Sequence, residues 1–171
     1  MIRLFVGIAI DAAVAARLAP LAAGIPGARW VAARNLHLTL RFIGEVDDGL
    51  AEDIHLALAA VESPGFALDL EGLGIFGGGK PHTLWAGVRS EPLLERLQGR
   101  VDAAVERTGC PPEPRKFTAH VTLARLGAGA APRIPAYLAG NSLFRAGPMP
   151  VDHFVVREIA AAGDQAGAAA I

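Results

Sequence analysis

Apolar and polar positions follow two different periods along the chain, and the switches between them mark its elements. Residues 4–10 form a short apolar run of strand length, and Asp11 is placed to cap an Ala-rich amphipathic helix reaching about Ala23. A turn at Ile25-Pro26-Gly27 precedes a short strand expected at 29–31. Residues 36–43 alternate and include Thr, Phe and Ile, which predicts a strand. Asp47 and Asp48 open a helical pattern to about Val61, which Ser63-Pro64-Gly65 breaks. Residues 66–76 predict a long strand and residues 83–88 the next, with a Gly-rich loop at 77–81 between them. Leu94, Leu97, Val101 and Val105 set a helical stripe within 91–108. After a Pro-rich loop at 111–114 come a strand at 117–126, a loop, and a short segment to Leu138; Phe144 and residues 151–159 complete the sheet. The Ala- and Gly-rich residues 160–171 carry no assignable pattern. Strands and helices intersperse without a sustained βαβ rhythm and without a linker, so the fold class is α+β, with residues 1–171 as one domain.

Composition narrows the function. Of 171 residues, 52% are hydrophobic and 19% charged, enough apolar material for a sizeable core and too much for a disordered chain. A net charge of −1 excludes a generic polyanion coat but leaves room for a local basic site that takes the end of a nucleic acid. The lone Cys110 excludes an internal disulfide and a cysteine-based zinc site. No apolar run approaches the ~18 residues of a membrane span. The start resembles a secretory signal, yet Asp11 ends its apolar stretch early; the expected protein is cytoplasmic, off the membrane, and a monomer.

One repeat carries the chemistry. His37-Leu38-Thr39-Leu40 and His120-Val121-Thr122-Leu123 share the pattern His-x-Thr-Leu, and each runs on to a glycine at the same offset, Gly44 and Gly127. Chance predicts roughly 0.02 instances of this pattern in such a chain, so two point to an internal duplication. On a strand, His37 and Thr39 share one face, as do His120 and Thr122, while Leu38, Leu40, Val121 and Leu123 face apolar packing. If a pseudo-twofold axis relates the halves, two imidazoles and two hydroxyls meet across a cleft. A neutral imidazole can take a proton from a nucleophile while a protonated one delivers a proton to a leaving group. The threonine hydroxyls can donate to phosphate oxygens, and Arg125, with Arg115 and Lys116 upstream, can neutralise a phosphodiester. A single strand histidine is more often a packed residue than a catalyst, but packing alone rarely demands His and Thr twice in one register. A two-histidine metal site needs a third ligand that neither motif supplies.

These residues resemble the two-histidine (2H) phosphoesterase superfamily and, within it, the 2′-5′ RNA ligase family of RNA 2′,3′-cyclic phosphodiesterases. The likeness covers nearly the whole chain. It includes Arg3-Leu4-Phe5-Val6, Trp30-Val31, residues 35–44, residues 84–88 and residues 117–125. It implies a bilobal fold, each lobe with a mainly antiparallel sheet and outer helices, and an active-site cleft between them. It implies cofactor-free and metal-free hydrolysis of an RNA 2′,3′-cyclic phosphate end to a 2′-phosphomonoester, with 2′-5′ ligation as the reverse reaction. Carried over, His37 is the proton donor, His120 the proton acceptor, and Thr39, Thr122 and Arg125 bind phosphate. The partners implied are RNA 3′ ends or small cyclic phosphate nucleotides. Other readings are hydrolysis of a small cyclic nucleotide or a 2′-5′ oligonucleotide, or an idle RNA-end binding module. The chain departs from the family near its end, where Glu158 stands near an expected Ser and Ala166 follows Gly163 in place of a Tyr.

Three features read as bystanders. Residues 74–81, GIFGGGKP, are one residue short of a P-loop, and Pro81 replaces the Mg²⁺-binding hydroxyl, so a turn is expected. His55, His82 and His153 lack the His-x-Thr setting and are expected to be structural or solvated. Trp30, Phe42 and Trp85 are candidates to stack on a base, with core packing as the simpler role.

Overall fold

Carboxylates start the three helices that the apolar periodicity marks. The computed structural model describes residues 1–159 and 168–170. Helix α1 (Ala12–Leu18) is capped by Asp11, which accepts from the Val14 N–H at 2.8 Å, and α2 (Asp48–Ala59) by Asp47, which accepts from Leu50 N–H at 2.9 Å. Helix α3 (Pro92–Arg107) begins with proline at its first position, and Glu91 accepts from Leu93 N–H at 3.0 Å. A fourth, short helix, α4, spans Ile134–Gly140. Helix α1 stops earlier than its apolar pattern suggests. Pro20 lacks the amide that would continue the ladder, and residues Ala19–Leu21 tighten into a 3-10 turn.

The strands are β1 (Ile2–Ala9), β2 (Arg29–Trp30), β3 (His37–Val46), β4 (Phe66–Phe76), β5 (Thr83–Val88), β6 (His120–Arg125), β7 (Arg145–Val151), β8 (Val155–Glu158) and β9 (Ala168–Ala170). They form one antiparallel sheet in the order β7-β4-β5-β6-β3-β1-β8-β9, with β2 paired to β6. The fold is α+β. Three strands differ from expectation. β6 begins at His120 rather than at residue 117. β7 lies in a stretch whose Gly147, Pro148 and Pro150 argue against a strand; it forms at the sheet edge, where missing amides cost no inner ladder bond. β9 is made of alanines and exists through pairing with β8, Val155 opposite Ala170 to Arg157 opposite Ala168. Gly163 and Ala166, which mark the departure from the family pattern, lie outside the described residues.

The two His-x-Thr strands meet at the middle of this sheet. The register that joins β3 to β6 is Leu38 opposite Val121, the same position of each motif. Antiparallel pairing of equivalent residues is what a twofold axis between them requires. Around it the neighbours correspond. Ala9 faces His37 and Gly7 faces Thr39 on one side; Gly87 faces His120 and Trp85 faces Thr122 on the other. Each strand then bulges at the same place. Pairing jumps from Gly7–Thr39 to Val6–Arg41, and from Trp85–Thr122 to Leu84–Ala124.

Helices cross between the halves. α1 follows β1 but packs on β7, and α3 follows β5 but packs on β3 and α2. The buried apolar residues therefore form a single cluster that runs through both halves, with Leu38, Val121, Leu84, Val6 and Val101 all inaccessible. Burial of that face leaves the His and Thr face open.

Candidate active site

His37, Thr39, His120, Thr122 and Arg125 line one open cleft of about 610 Å³. Alternation places Leu38 and Val121 at 0% exposure beneath them. Beyond each threonine, the bulge decides which side chain turns to the cleft. Strict alternation would turn Arg125 away from His120 and point Ala124 at the cleft. The bulge reverses this: Ala124 is buried opposite Leu84, and Arg125 reaches the cleft, its Nη1 donating to Thr83 Oγ1 at 2.9 Å. The matching bulge on β3 adds Phe42 to the cleft lining, while Arg41, also at the cleft wall, directs its guanidinium to Asp102 of α3. The site is thus symmetric at its histidines and asymmetric beyond them, with Arg125 tied to Thr83 on one side and Phe42 beside an Arg41 engaged by α3 on the other.

Both imidazoles are held alike. His37 Nδ1 lies 2.7 Å from the carbonyl of Asn35, and His120 Nδ1 lies 2.6 Å from the carbonyl of Thr118. A carbonyl only accepts, so each Nδ1 carries the proton and each Nε2 is left for chemistry. Aromatic rings fix the planes: the Phe5 and His37 ring centroids lie 4.5 Å apart, and Phe76 meets His120 edge-on at 4.9 Å. Burial pulls the pKa of both histidines below the ordinary 6.5, against the Nδ1 hydrogen bonds, which raise it. The positive charge of Arg125 lowers both further, and Arg157 acts on His37 in the same direction. A bound phosphate would reverse these charge effects.

The motifs did not mark His82, Thr83 or Arg157, yet all three bear on the site. His82 lines the cleft, with its Nδ1 2.9 Å from Thr83 Oγ1, so it belongs to the network around Arg125. Thr83 itself is 2% exposed. The only signal for either was position at the entry of the predicted strand. Arg157, opposite Phe5 in register, places its charge near His37. Elsewhere the expectations separate. Of residues 74–81, the first three end β4 and the rest form the connection to β5, closed by Lys80 N–H to Gly77 O at 2.9 Å and opening no helix. His55 bonds its own helix at Ala51 O, and His153 is an exposed partner of Asp152. Phe42 lines the cleft, Trp85 lies over Gly74 beside Phe76, and Trp30 packs with Tyr137 away from it. Among the described residues, no three His, Cys, Asp or Glu side chains are grouped to hold a metal.

A paired His-x-Thr site on two pseudo-symmetric strands has known counterparts. A family model described as the 2′-5′ RNA ligase superfamily matches residues 10–162. The chain belongs to this superfamily. An RNA 2′,3′-cyclic phosphodiesterase from Archaeoglobus fulgidus is 33% identical over 128 residues, 72% of each chain. One from Aeropyrum pernix is 38% identical over 105 residues, 60% of this chain and 59% of that protein's length. The crystal structure of Escherichia coli LigT complexed with 3′-AMP superposes with a TM-score of 0.78 at 27% identity, over 99% of this chain and 95% of that one. These likenesses show the two-histidine phosphoesterase fold.

Proposed function

We propose that this superfamily member hydrolyses RNA 2′,3′-cyclic phosphate ends to 2′-phosphomonoesters by a two-histidine acid–base mechanism. The observation that carries the reading is the pair of imidazoles that both spend Nδ1 on a backbone carbonyl and both offer Nε2 to one cleft. Neutral His120 accepts a proton from water through Nε2 as the water oxygen bonds to phosphorus. The bond from phosphorus to the 3′ oxygen breaks, and protonated His37 delivers its Nε2 proton to that oxygen. Thr39 and Thr122 donate to the non-bridging oxygens, and Arg125 balances the charge that builds on them. Held by Thr83, its guanidinium is oriented before substrate arrives. With a strand's 5′-hydroxyl in place of water, the same attack on phosphorus breaks the bond to the 3′ oxygen and leaves a 2′-5′ linkage. The names of the curated relatives agree with this activity.

The test is incubation of the purified protein, in excess chelator, with an RNA ending in 2′,3′-cyclic phosphate, followed by mapping of the product phosphate. A 2′-phosphate formed at an undiminished rate is expected, since the donor set lacks a metal triad among the described residues. A 3′-phosphate product, or activity lost with chelator and restored by Zn²⁺ or Mn²⁺, would overturn the mechanism. The same reading takes residues 1–171 as one domain arising from an internal duplication. It also takes the protein as a cytoplasmic monomer, which sedimentation can test; among the described residues no helix is long and apolar enough to cross a membrane.

A further inference from the structure

Beyond the two histidines the cleft loses its symmetry, and the cause is a failed strand. Shifted by the 83-residue spacing of the motifs, β2 (Arg29–Trp30) falls on Pro112-Glu113. β2 pairs with β6, Trp30 opposite Ala124. Its counterpart should pair with β3 but contains Pro111, Pro112 and Pro114, which remove the amides a ladder needs. The segment instead stands off as a loop over the cleft.

That loop is fastened at both ends. The Arg41 guanidinium, 4% exposed, donates to the Pro111 carbonyl and pairs with Asp102 of α3 at 3.4 Å. Gln98 steadies the arrangement by donating to Asp102 at 2.6 Å and to Leu40 O at 3.4 Å. At the other end the ring of His120 holds the Thr118 carbonyl. Between the ties, Arg115, Lys116 and Phe117 line the same cleft as the histidines. Arg115 is paired with Glu113 at 3.0 Å, while no ion pair joins Lys116 to any described residue. Arg41 Nε is buried without a partner beside this loop.

We propose that the loop of residues 111–117 is the subsite for the RNA chain upstream of the cyclic phosphate. Lys116 and Arg115 take the preceding phosphodiester, Phe117 offers a face to a base, and Arg41 is the positioning residue that holds the loop. This rests on the phosphodiesterase reading and deepens it: the substrate is a polynucleotide end in preference to a free cyclic nucleotide. Only a chain longer than one nucleotide carries a second phosphate group for that loop to take.

The experiment compares kcat/KM for a five-nucleotide RNA ending in 2′,3′-cyclic phosphate with that for a nucleoside 2′,3′-cyclic monophosphate. The wild-type protein should favour the oligomer. The double variant R115Q/K116Q should lower the oligomer-to-monomer ratio about tenfold and flatten the salt dependence by about 0.7 in log–log slope for each phosphate no longer neutralised. R41M should lower the same ratio by displacing the loop. Should R41M fail to fold, the exposed R115Q/K116Q pair still decides. An unchanged ratio in R115Q/K116Q, with both substrates still converted to 2′-phosphates, overturns the subsite and leaves the phosphodiesterase reading standing. Conversion of neither substrate by the wild-type protein overturns both.

Discussion

Gly7 and Gly99 invite the same substitution with opposite outcomes. Gly7 lies on β1 directly opposite Thr39, beside the His37 ring. A Cβ there would sit 2.8 Å from the backbone oxygen of Leu38, 3.3 Å from the Phe5 ring and 3.6 Å from His37 Cδ2. Ordinary contact begins near 3.4 Å, so β1 and β3 must part by about 0.6 Å at the residue between His37 and Thr39. Overpacking of this kind costs about 1–3 kcal/mol, against a gain of about 0.4–1 kcal/mol from a less disordered unfolded chain. Gly7→Ala should therefore lose up to about 2.6 kcal/mol by guanidinium denaturation, the midpoints of the two ranges giving about 1.3. Because a 1 Å misplacement near the reacting groups can cost ~10²-fold, kcat should fall about 10- to 100-fold. Gly99 is the control: exposed in the middle of α3, with nothing within 4 Å of an added Cβ. Gly99→Ala should gain about 0.5–1 kcal/mol and keep wild-type kcat. A Gly7→Ala protein as stable and as fast as wild type would refute the claim that this close strand approach positions His37 and Thr39.

The other outcomes concern the reaction itself. His37→Ala and His120→Ala should each lower kcat about 10²–10⁴-fold, and the double variant should be far less than multiplicatively worse, as stopped-flow or long-time assays can show. Thr39→Ala and Thr122→Ala should each cost about 1–3 kcal/mol in transition-state stabilisation, and Arg125→Lys should restore only part of what Arg125→Ala loses, since a lysine cannot keep the Thr83 bond and the phosphate together. The pH profile of kcat/KM should be bell-shaped with its maximum on the acid side of 6.5, because burial lowers both histidines in the free enzyme; that of kcat should lie at higher pH, where bound phosphate offsets Arg125. For stability the sign is set by the unfolded state, which binds the histidine protons more tightly. The melting temperature should hold above about pH 6.5 and fall as pH drops toward the lowered folded values, and inorganic phosphate should reverse part of the loss. A melting temperature that rises on acidification through this range would contradict the direction of the shifts.

Features set within a few neighbouring residues were legible in the chain alone. Asp11 and Asp47 announce helix starts because caps act within one turn, and the stripe Leu94, Leu97, Val101 and Val105 announces the third helix. The face of each His-x-Thr pair follows from the two-residue period of a strand, and so does the burial of Leu38 and Val121. The repeat then located the proposed reacting pair, and the position of Arg125 just after the second motif marked it as a candidate for the phosphate. Everything that depends on register between distant strands was settled only by folding. Periodicity alone points Ala124 at the cleft and Arg125 away, and only the bulge against β5 reverses them. The matching bulge on β3 adds Phe42 to the cleft beside Arg41, whose guanidinium is drawn to Asp102 of α3. His82 and Thr83 became members of the site because β5 lies beside β6, a pairing that bridges residues about forty positions apart. The alanines of β9 hold strand geometry that their own propensity disfavours, because β8 presents an open edge to them. Strand pairing is a long-range choice made by the whole sheet, and a window of neighbouring residues does not contain it.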